Sequence, residues 1–381
     1  MKNNSWVEIS KDNLIHNLKT LKSKINDSEL MFVVKANAYG HNMEKVVQIT
    51  ESQDDLVDDY GVHSIKSAVK LREFGIKKDI YVLGYVNLEN IKYLFEYDFI
   101  HVVTNMKTLN KIIELSKKYE KSIKINLKCE TGTNRQGILI NNIDKYFKKI
   151  NSSKWVELEG LISHFANIED TTNHQYTIKQ LNRFENFIKK ADKYELSNLK
   201  NHIACSAAII LFPKTHYQMV RAGISSYGLW SSKETYISHK LLNKENNITL
   251  KPVLTWKTII GQIKTIPAGS YIGYGCTYKT TTETKLAILP VGYYDGYDRR
   301  LSNKGYVLIN GKRAPIRGRV CMNMIIVDIT HIDKVNLEDE VILLGKSVNE
   351  EITPEELASK VNTINYEIVD RINPLIERII V

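Results

Sequence analysis

FVVKANAYGHN, residues 32–42, sets a short apolar run directly against a lysine and follows it with a glycine. Phe32, Val33 and Val34 read as a strand buried on both faces, the pattern of a parallel sheet, and the strand ends in Lys35. Gly40 then turns the chain into a helical pattern that starts near Asn42. In an enclosed site desolvation favours the neutral amine of such a lysine, and a neutral amine attacks an aldehyde to form a Schiff base. Taken alone, the ordinary reading of a lysine here is an ammonium that reaches solvent from the strand end.

Outward from this stretch the same alternation repeats. Apolar runs recur at residues 60–63, 80–83, 99–103, 123–127, 158–162, 202–204 and 218–220, and amphipathic stretches at 68–74, 91–95, 109–119 and 176–191 lie between them. Counting the first, eight strands alternate with helices, which predicts an α/β fold with an N-terminal (β/α)8 barrel of the TIM type; an open doubly wound sheet is the structural alternative. No GxGxxG follows a strand, which counts against dinucleotide binding. SWVEI at residues 5–9 predicts a further strand, and Ser10 can cap a helix carrying Leu14, Leu18 and Leu21.

Periodicity fades in the polar stretch 231–251. Beyond it β-branched runs at 253–266, 285–290, 305–309, 324–329 and 341–344 are separated by Gly, Asn or Pro turns, so a mainly β domain is expected. Thr353-Pro354-Glu355-Glu356 predicts one helix within it, with an N-cap, a proline at the first position and an acidic first turn. The expected organisation is a barrel over 10–240 and a β domain over 241–381, joined by the strand at 1–9.

Of 381 residues, 43% are hydrophobic and 25% charged, a balance that supports a folded chain throughout. The net charge of +10 comes from scattered lysines such as Lys117, Lys118 and Lys121 rather than a basic arm, so no nucleic-acid partner is expected. Cys129, Cys205, Cys276 and Cys321 are far apart without CxxC or Cys/His metal spacing, which points to reduced thiols and no metal. The opening residues are polar, and the longest apolar run, 207–212, is too short to span a bilayer; a cytoplasmic protein without membrane attachment is expected.

Three segments place ligand chemistry at the ends of predicted barrel strands: Ser163-His164-Phe165-Ala166, Cys205-Ser206, and Val220-Arg221-Ala222-Gly223-Ile224. The last two follow the seventh and eighth strands, where barrels commonly cradle a phosphate with backbone N–H groups, a hydroxyl and a glycine. With VVKANAYGH (33–41), TGTNRQG (131–137), GLISHFA (160–166), MVRAGISSYGL (219–229), YGCTY (274–278), LPVGYYDGY (289–297), GRVCMNM (318–324) and TINYEI (363–368), the chain resembles the alanine racemases along nearly its whole length.

That resemblance implies a pyridoxal 5'-phosphate enzyme interconverting L- and D-alanine through an external aldimine, supplying D-alanine for peptidoglycan. It makes Lys35 the residue that holds the cofactor as a Schiff base, and gives the phosphate to Tyr39, Ser206, Gly223, Ile224 and Tyr366. Arg221 would face the pyridine nitrogen, with His164 behind it; because a guanidinium only donates, that nitrogen stays unprotonated and the ring is a weaker electron sink. Lys35 and Tyr274, the latter from a second subunit of a homodimer with shared active sites, become the two opposed bases. A phenol needs nearby cations to ionise near neutral pH, and the pair Arg221 and His164 is the expected source. Arg135 and the backbone N–H of Met322 would take the substrate carboxylate, and Lys128 matches a lysine often carbamylated in the family. Tyr293, Arg299, Arg319 and Glu169 match the corridor leading to the site.

The chain departs from the usual pattern at Asn323, where an Asp is common, at Cys205 and Ala222, where Asn and Pro are common, and at Thr133-Asn134. Asn323 and Cys205 change polarity near the substrate and leave the side chain it accepts open. A serine or broad-specificity racemase is therefore the alternative within the class, and a non-catalytic pyridoxal-phosphate carrier the alternative outside it. Such carriers lack the β domain that holds Tyr274 and Met322. A fold-related decarboxylase would place a catalytic cysteine in that domain, where Cys276 and Cys321 fit racemase motifs better.

Overall fold

The computed structural model describes residues 3–53, 55–242 and 248–381. The chain divides into two compact units, one of Met1–Leu14, Asn37–Val47 and Pro252–Val381, the other of Ile15–Ala36 and Gln48–Lys251. Strand β1 (Ser5–Ile9) belongs to the first.

The second unit is built on seven parallel strands: β2 (Glu29–Val33), β3 (Asp59–Val62), β4 (Ile80–Val82), β5 (Ile100–Val103), β6 (Ile123–Lys128), β7 (Val156–Ile162) and β8 (Met219–Ala222). They pair in the order β7-β6-β5-β4-β3-β2-β8. Every residue of β3, β4, β5 and β8 is buried, as a parallel sheet covered on both faces requires, including the polar side chains of Asp59, His101 and Arg221. The ring closes through residues 200–204: the His202 N–H donates to Leu161 O at 2.9 Å, His202 O accepts from the Ser163 N–H, and Ala204 O accepts from the Arg221 N–H.

The strand expected at 202–204 is thus reduced to one isolated bridge between Ile162 and His202. Its cause lies one residue earlier, where the Asn201 side chain accepts the Leu161 N–H at 3.1 Å and takes a place a ladder carbonyl would hold. Between strands the expected helices form. Met106–Tyr119 is capped by Asn105, whose Oδ1 accepts the Thr108 N–H, and buries Leu109, Ile112 and Leu115, each worth roughly 1.5–3 kcal/mol.

After β2 the chain does not run straight to a turn at Gly40. Ala36, Asn37, Ala38 and Tyr39 all have φ between 51° and 57°, so Lys35–Tyr39 is a turn of left-handed helix. Each non-glycine residue in that conformation costs about 1–2 kcal/mol, and surrounding structure must impose it. Part of that structure is buried Arg378. Its guanidinium donates to Gly40 O from Nε at 3.2 Å and Nη2 at 3.0 Å, to Asn373 O and Ile376 O at 2.6 Å each, and to Ile372 O at 3.0 Å. Gly40 itself has φ +80°, and a Cβ there would lie 2.2 Å from Val369 O. The Asn37 side chain then caps the next helix by accepting the Met43 N–H at 3.0 Å. Local sequence signals the glycine but not Arg378, which lies 338 residues further on.

The first unit is mainly β. Its strands are β1, β9 (Leu254–Ile259), β10 (Gln262–Ile266), β11 (Thr284–Leu289), β12 (Tyr306–Ile309), β13 (Lys312–Pro315), β14 (Ile325–Asp328), β15 (Glu340–Ser347), β16 (Glu350–Ile352) and β17 (Glu377–Ile380). One sheet runs β13-β12-β15-β9-β1-β17 with β16 on β15, and a second runs β10-β11-β14. β1 pairs parallel with β17 and antiparallel with β9, whose burial alternates residue by residue as a one-sided sheet requires. The helix forms at Pro354–Val361, where Thr353 Oγ1 accepts the Glu356 N–H at 3.1 Å.

Candidate active site

In the barrel unit Arg221 lies at the end of β8 and is only 6% exposed. Nη1 donates to His202 O at 3.0 Å and Nδ1 of His202 at 3.1 Å; Nη2 donates to Ser163 O at 2.7 Å, Ile203 O at 3.0 Å and Nδ1 of His164 at 3.3 Å. All five acceptors are neutral, so the guanidinium is fixed in direction and keeps its charge. Because arginine only donates, both imidazoles must accept at Nδ1 and carry their proton on Nε2. Burial, and then the charge of Arg221, pushes both histidines well below the ordinary range.

His164 therefore supplies no positive charge. The expected cationic pair is one cation, Arg221, held by two neutral histidines. His202 was not singled out in the sequence; its signal was a histidine inside an otherwise apolar strand run. Its Nε2 faces Asn126 Oδ1 at 3.3 Å, and Gly160 makes room for that amide, since a Cβ there would lie 2.9 Å from Asn126 Oδ1.

Beside Arg221 lies an anion cradle. Buried Ser206 accepts the Gly223 N–H at 3.0 Å and the Ser225 N–H at 3.3 Å on its Oγ, leaving its own proton to point elsewhere. The N–H of Ile224 opens a short 3-10 turn, where the first donors have no acceptor within the turn. The Ser225 and Ser226 hydroxyls are buried without partners among the described residues. Converging neutral donors beside a fixed guanidinium suit a phosphate and an aromatic nitrogen, so these residues fit pyridoxal phosphate. Cys205, next to Ser206, is a free thiol pushed up by burial.

Lys35 follows β2 and is exposed in the single chain, so burial does not supply the desolvation argued from sequence. Arg135 is also exposed, on the loop after β6, and its charge bears on His164 and Lys128. Lys128, half-buried at the end of β6, is pushed down to about 7 by burial and then by the charges of Arg221 and Arg135. A large share of this amine is neutral near pH 7. Glu169 is half-buried, and burial raises its carboxyl.

In the β unit, the rings of Tyr39 and Tyr366 lie 6.1 Å apart. Tyr274 is 72% exposed, between Gly273 at φ +70° and Gly275 at φ +74°. A Cβ on Gly275 would lie 3.0 Å from the Arg319 guanidinium carbon, so this cation packs against the backbone next to Tyr274. Met322 and Asn323 are exposed; Met322 O accepts the Tyr294 N–H at 2.9 Å, and among the described residues the Met322 N–H has no acceptor. Gly292 allows that approach, since a Cβ there would sit 2.4 Å from Met322 O. Tyr293 and Arg299 line one open polar cavity of about 720 Å³ with Asp298, Arg300, Glu367 and Arg371.

A family model described as alanine racemase, N-terminal domain, matches residues 9–231, and one described as alanine racemase, C-terminal domain, matches residues 253–380. An alanine racemase of Halothermothrix orenii is 39% identical over 376 residues, covering 98% of this chain and 96% of that protein. One from Leptospira interrogans serovar copenhageni is 38% identical over 379 residues, covering 99% and 96%. The solved alanine racemase of Clostridium difficile 630 superposes with a TM-score of 0.91 at 32% identity, covering all of this chain and 96% of that one. Among the described residues no helix is long and apolar enough to cross a membrane.

Proposed function

The chain belongs to the alanine racemase family of isomerases, and from that premise we propose that it interconverts L- and D-alanine with pyridoxal 5'-phosphate carried on Lys35. The observation that carries the cofactor reading is the juxtaposition of a donor-only guanidinium with the Ser206 cradle. Bound pyridoxal phosphate supplies an electron sink that makes the Cα proton of an amino acid removable.

The chain's own residues have the following roles in this reading. Ser206 and the backbone of Gly223 and Ile224 hold the phosphate, and the family resemblance adds Tyr39 and Tyr366. Arg221, which can only donate, would face the pyridine nitrogen and would leave it unprotonated, a weaker sink that would disfavour side reactions. Arg135 and the Met322 N–H take the carboxylate. Lys35 moves a proton on one face of Cα and Tyr274, from the second subunit of a homodimer, moves one on the other. Arg319 packs against the Gly275 backbone next to Tyr274.

Neutral Lys128 can add CO2 to give a carbamate and a released proton, and the resulting anion orients Arg135. Tyr293, Arg299, Arg319 and Glu169 line the corridor, where one extra methylene is worth only about 1–3 kcal/mol of discrimination. Asn323 and Cys205 set the polarity felt by the substrate side chain. The product serves peptidoglycan synthesis in the cytoplasm.

The test is a coupled D-alanine assay with a visible spectrum of the purified protein. The expected result is turnover of alanine and a visible absorption band that borohydride bleaches, both lost in Lys35→Ala. A colourless protein, or a coloured one that turns over no amino acid, overturns the reading.

A further inference from the structure

The helix Gln175–Asp192 turns an unexpected face to the barrel loops. Its buried stripe is Thr177, Gln180, Phe184, Phe187 and Ala191, and on the flank of that stripe Tyr176, Gln180 and Arg183 follow one another at i, i+4, i+7 spacing. All three bond to the start of the loop that carries Arg135. The Tyr176 hydroxyl donates to Gly132 O at 2.7 Å, and Nη1 of Arg183 donates to Thr131 O at 2.9 Å. Gly132, at φ +141°, admits them: a Cβ there would lie 2.6 Å from the Tyr176 hydroxyl.

Gln180 lies between two loops and is fully buried. Its Oε1 accepts the Ala166 N–H at 2.8 Å, and its Nε2 donates to His164 O at 3.1 Å and to Thr131 Oγ1 at 3.2 Å. The orientation of the amide is forced, because the Ala166 N–H can only donate and the His164 carbonyl can only accept.

The hydroxyls beyond it have forced directions too. Ser163 Oγ donates to Cys129 O at 2.9 Å, so it must accept from Thr131 Oγ1 at 2.8 Å, and Thr131 Oγ1 is then the acceptor for Gln180. One chain of donors therefore runs Gln180, Thr131, Ser163, Cys129. It links the loop that follows Lys128 and carries Arg135 to the loop whose Ser163 carbonyl and His164 ring hold Arg221. Thr133 adds a parallel tie, its Oγ1 donating to His164 O at 2.6 Å.

We propose that Gln180 is a positioning residue that locks the Arg135 loop to the His164 loop, so that carboxylate recognition and the Arg221 contact are set as one rigid constellation. The inference rests on Arg135 being the carboxylate-binding residue of the racemase reading above. A buried polar network satisfied at every member is rigid; loss of the Gln180 amide leaves the Ala166 N–H without its acceptor and takes one donor from each of His164 O and Thr131 Oγ1, so that only Thr133 and Ser163 still tie the two loops. The Arg135 loop then has freedom to shift, and displacements of about 1 Å cost on the order of a hundredfold in well-aligned sites.

The experiment uses the holoenzyme and Gln180→Met, which keeps the side-chain length without donor or acceptor, and Thr131→Val, which removes only the hydroxyl link. Alanine KM and kcat are measured with competitive inhibition by propionate, which offers a carboxylate without an amine. The expected result is a rise of roughly tenfold in KM and a matching loss of propionate affinity in Gln180→Met, a smaller change of the same kind in Thr131→Val, and an unchanged cofactor content and absorption maximum. Added to Arg135→Lys, the Gln180→Met change has no further effect on propionate affinity. If both variants fold, hold cofactor and bind propionate like the parent, the proposal is overturned, and so it is if the effects of Gln180→Met and Arg135→Lys simply add. An active parent separates that failure from failure of the racemase reading; a parent without turnover sinks both.

Discussion

Arg378→Met tests what holds the left-handed turn after Lys35. Arg378 is 4% exposed, and its five bonds go to four backbone carbonyls, with no carboxylate among its partners in the described residues. Methionine fills much of the same volume and donates to none of them. The Gly40 backbone is buried, as is Ile372, whereas Asn373 and Ile376 are half-exposed and can turn to water. Two buried acceptors left without donors cost about 1–3 kcal/mol each. Removing a buried guanidinium also recovers desolvation free energy, since burial pushes Arg378 down to about 10. The expected net loss is roughly 3 kcal/mol, which for a unit of this size lowers the midpoint by about 6–12 °C. Calorimetric unfolding of parent and variant reads it directly. Arg378→Lys does not restore stability, because one ammonium cannot reach four carbonyls fixed by a planar fork. A midpoint within about 2 °C of the parent for Arg378→Met refutes the reasoning.

Other perturbations have signed outcomes. Burial pushes the Asp59 carboxyl up to about 7, opposed by Lys200 and reinforced by Glu29, Asp79 and Asp58, so its stabilising contribution is complete below pH 3.8 and is lost as pH rises through 7. Asp59→Asn is therefore nearly neutral at pH 4 and more stable than the parent at pH 8, by roughly 2–4 kcal/mol in urea unfolding. With ¹³C-labelled bicarbonate, a carbamate signal that depends on Lys128 is expected at pH 8 and fades below pH 7, where the amine protonates; an intact mass and NMR spectrum indistinguishable from Lys128→Met at pH 8 removes carbamylation from the account. Ser206→Ala takes away both the outward hydroxyl and the acceptor for two N–H groups, and pyridoxal-phosphate affinity measured by equilibrium dialysis falls by about tenfold to a hundredfold.

The barrel was legible in the sequence because strands buried on both faces leave continuous apolar runs such as Met31 to Val34. The helix at Pro354–Val361 was legible from its cap. The seventh barrel position was misread in extent, since a side chain at Asn201 replaces a ladder carbonyl and no apolar pattern encodes that exchange. The left-handed turn was illegible for a different reason: Ala36, Ala38 and Tyr39 have no local preference for positive φ, Asn37 alone does not make a turn of four such residues, and the residue that braces Gly40 is remote in sequence. Family motifs pointed to Arg221 and His164, but motifs name residues and not protonation states. That His164 is neutral follows only from burial beside a guanidinium. His202 and Gln180 lay outside the motif reading because they act through other residues.

The central claim is that two residues, Lys35 and Tyr274, move protons on opposite faces of the same carbon. Its most direct test is exchange of the Cα hydrogen of each alanine enantiomer with deuterium oxide, followed by NMR with the Tyr274→Phe holoenzyme. The account predicts that interconversion stops while one enantiomer still exchanges through Lys35. Equal loss of exchange from both enantiomers, or continued racemisation, contradicts it.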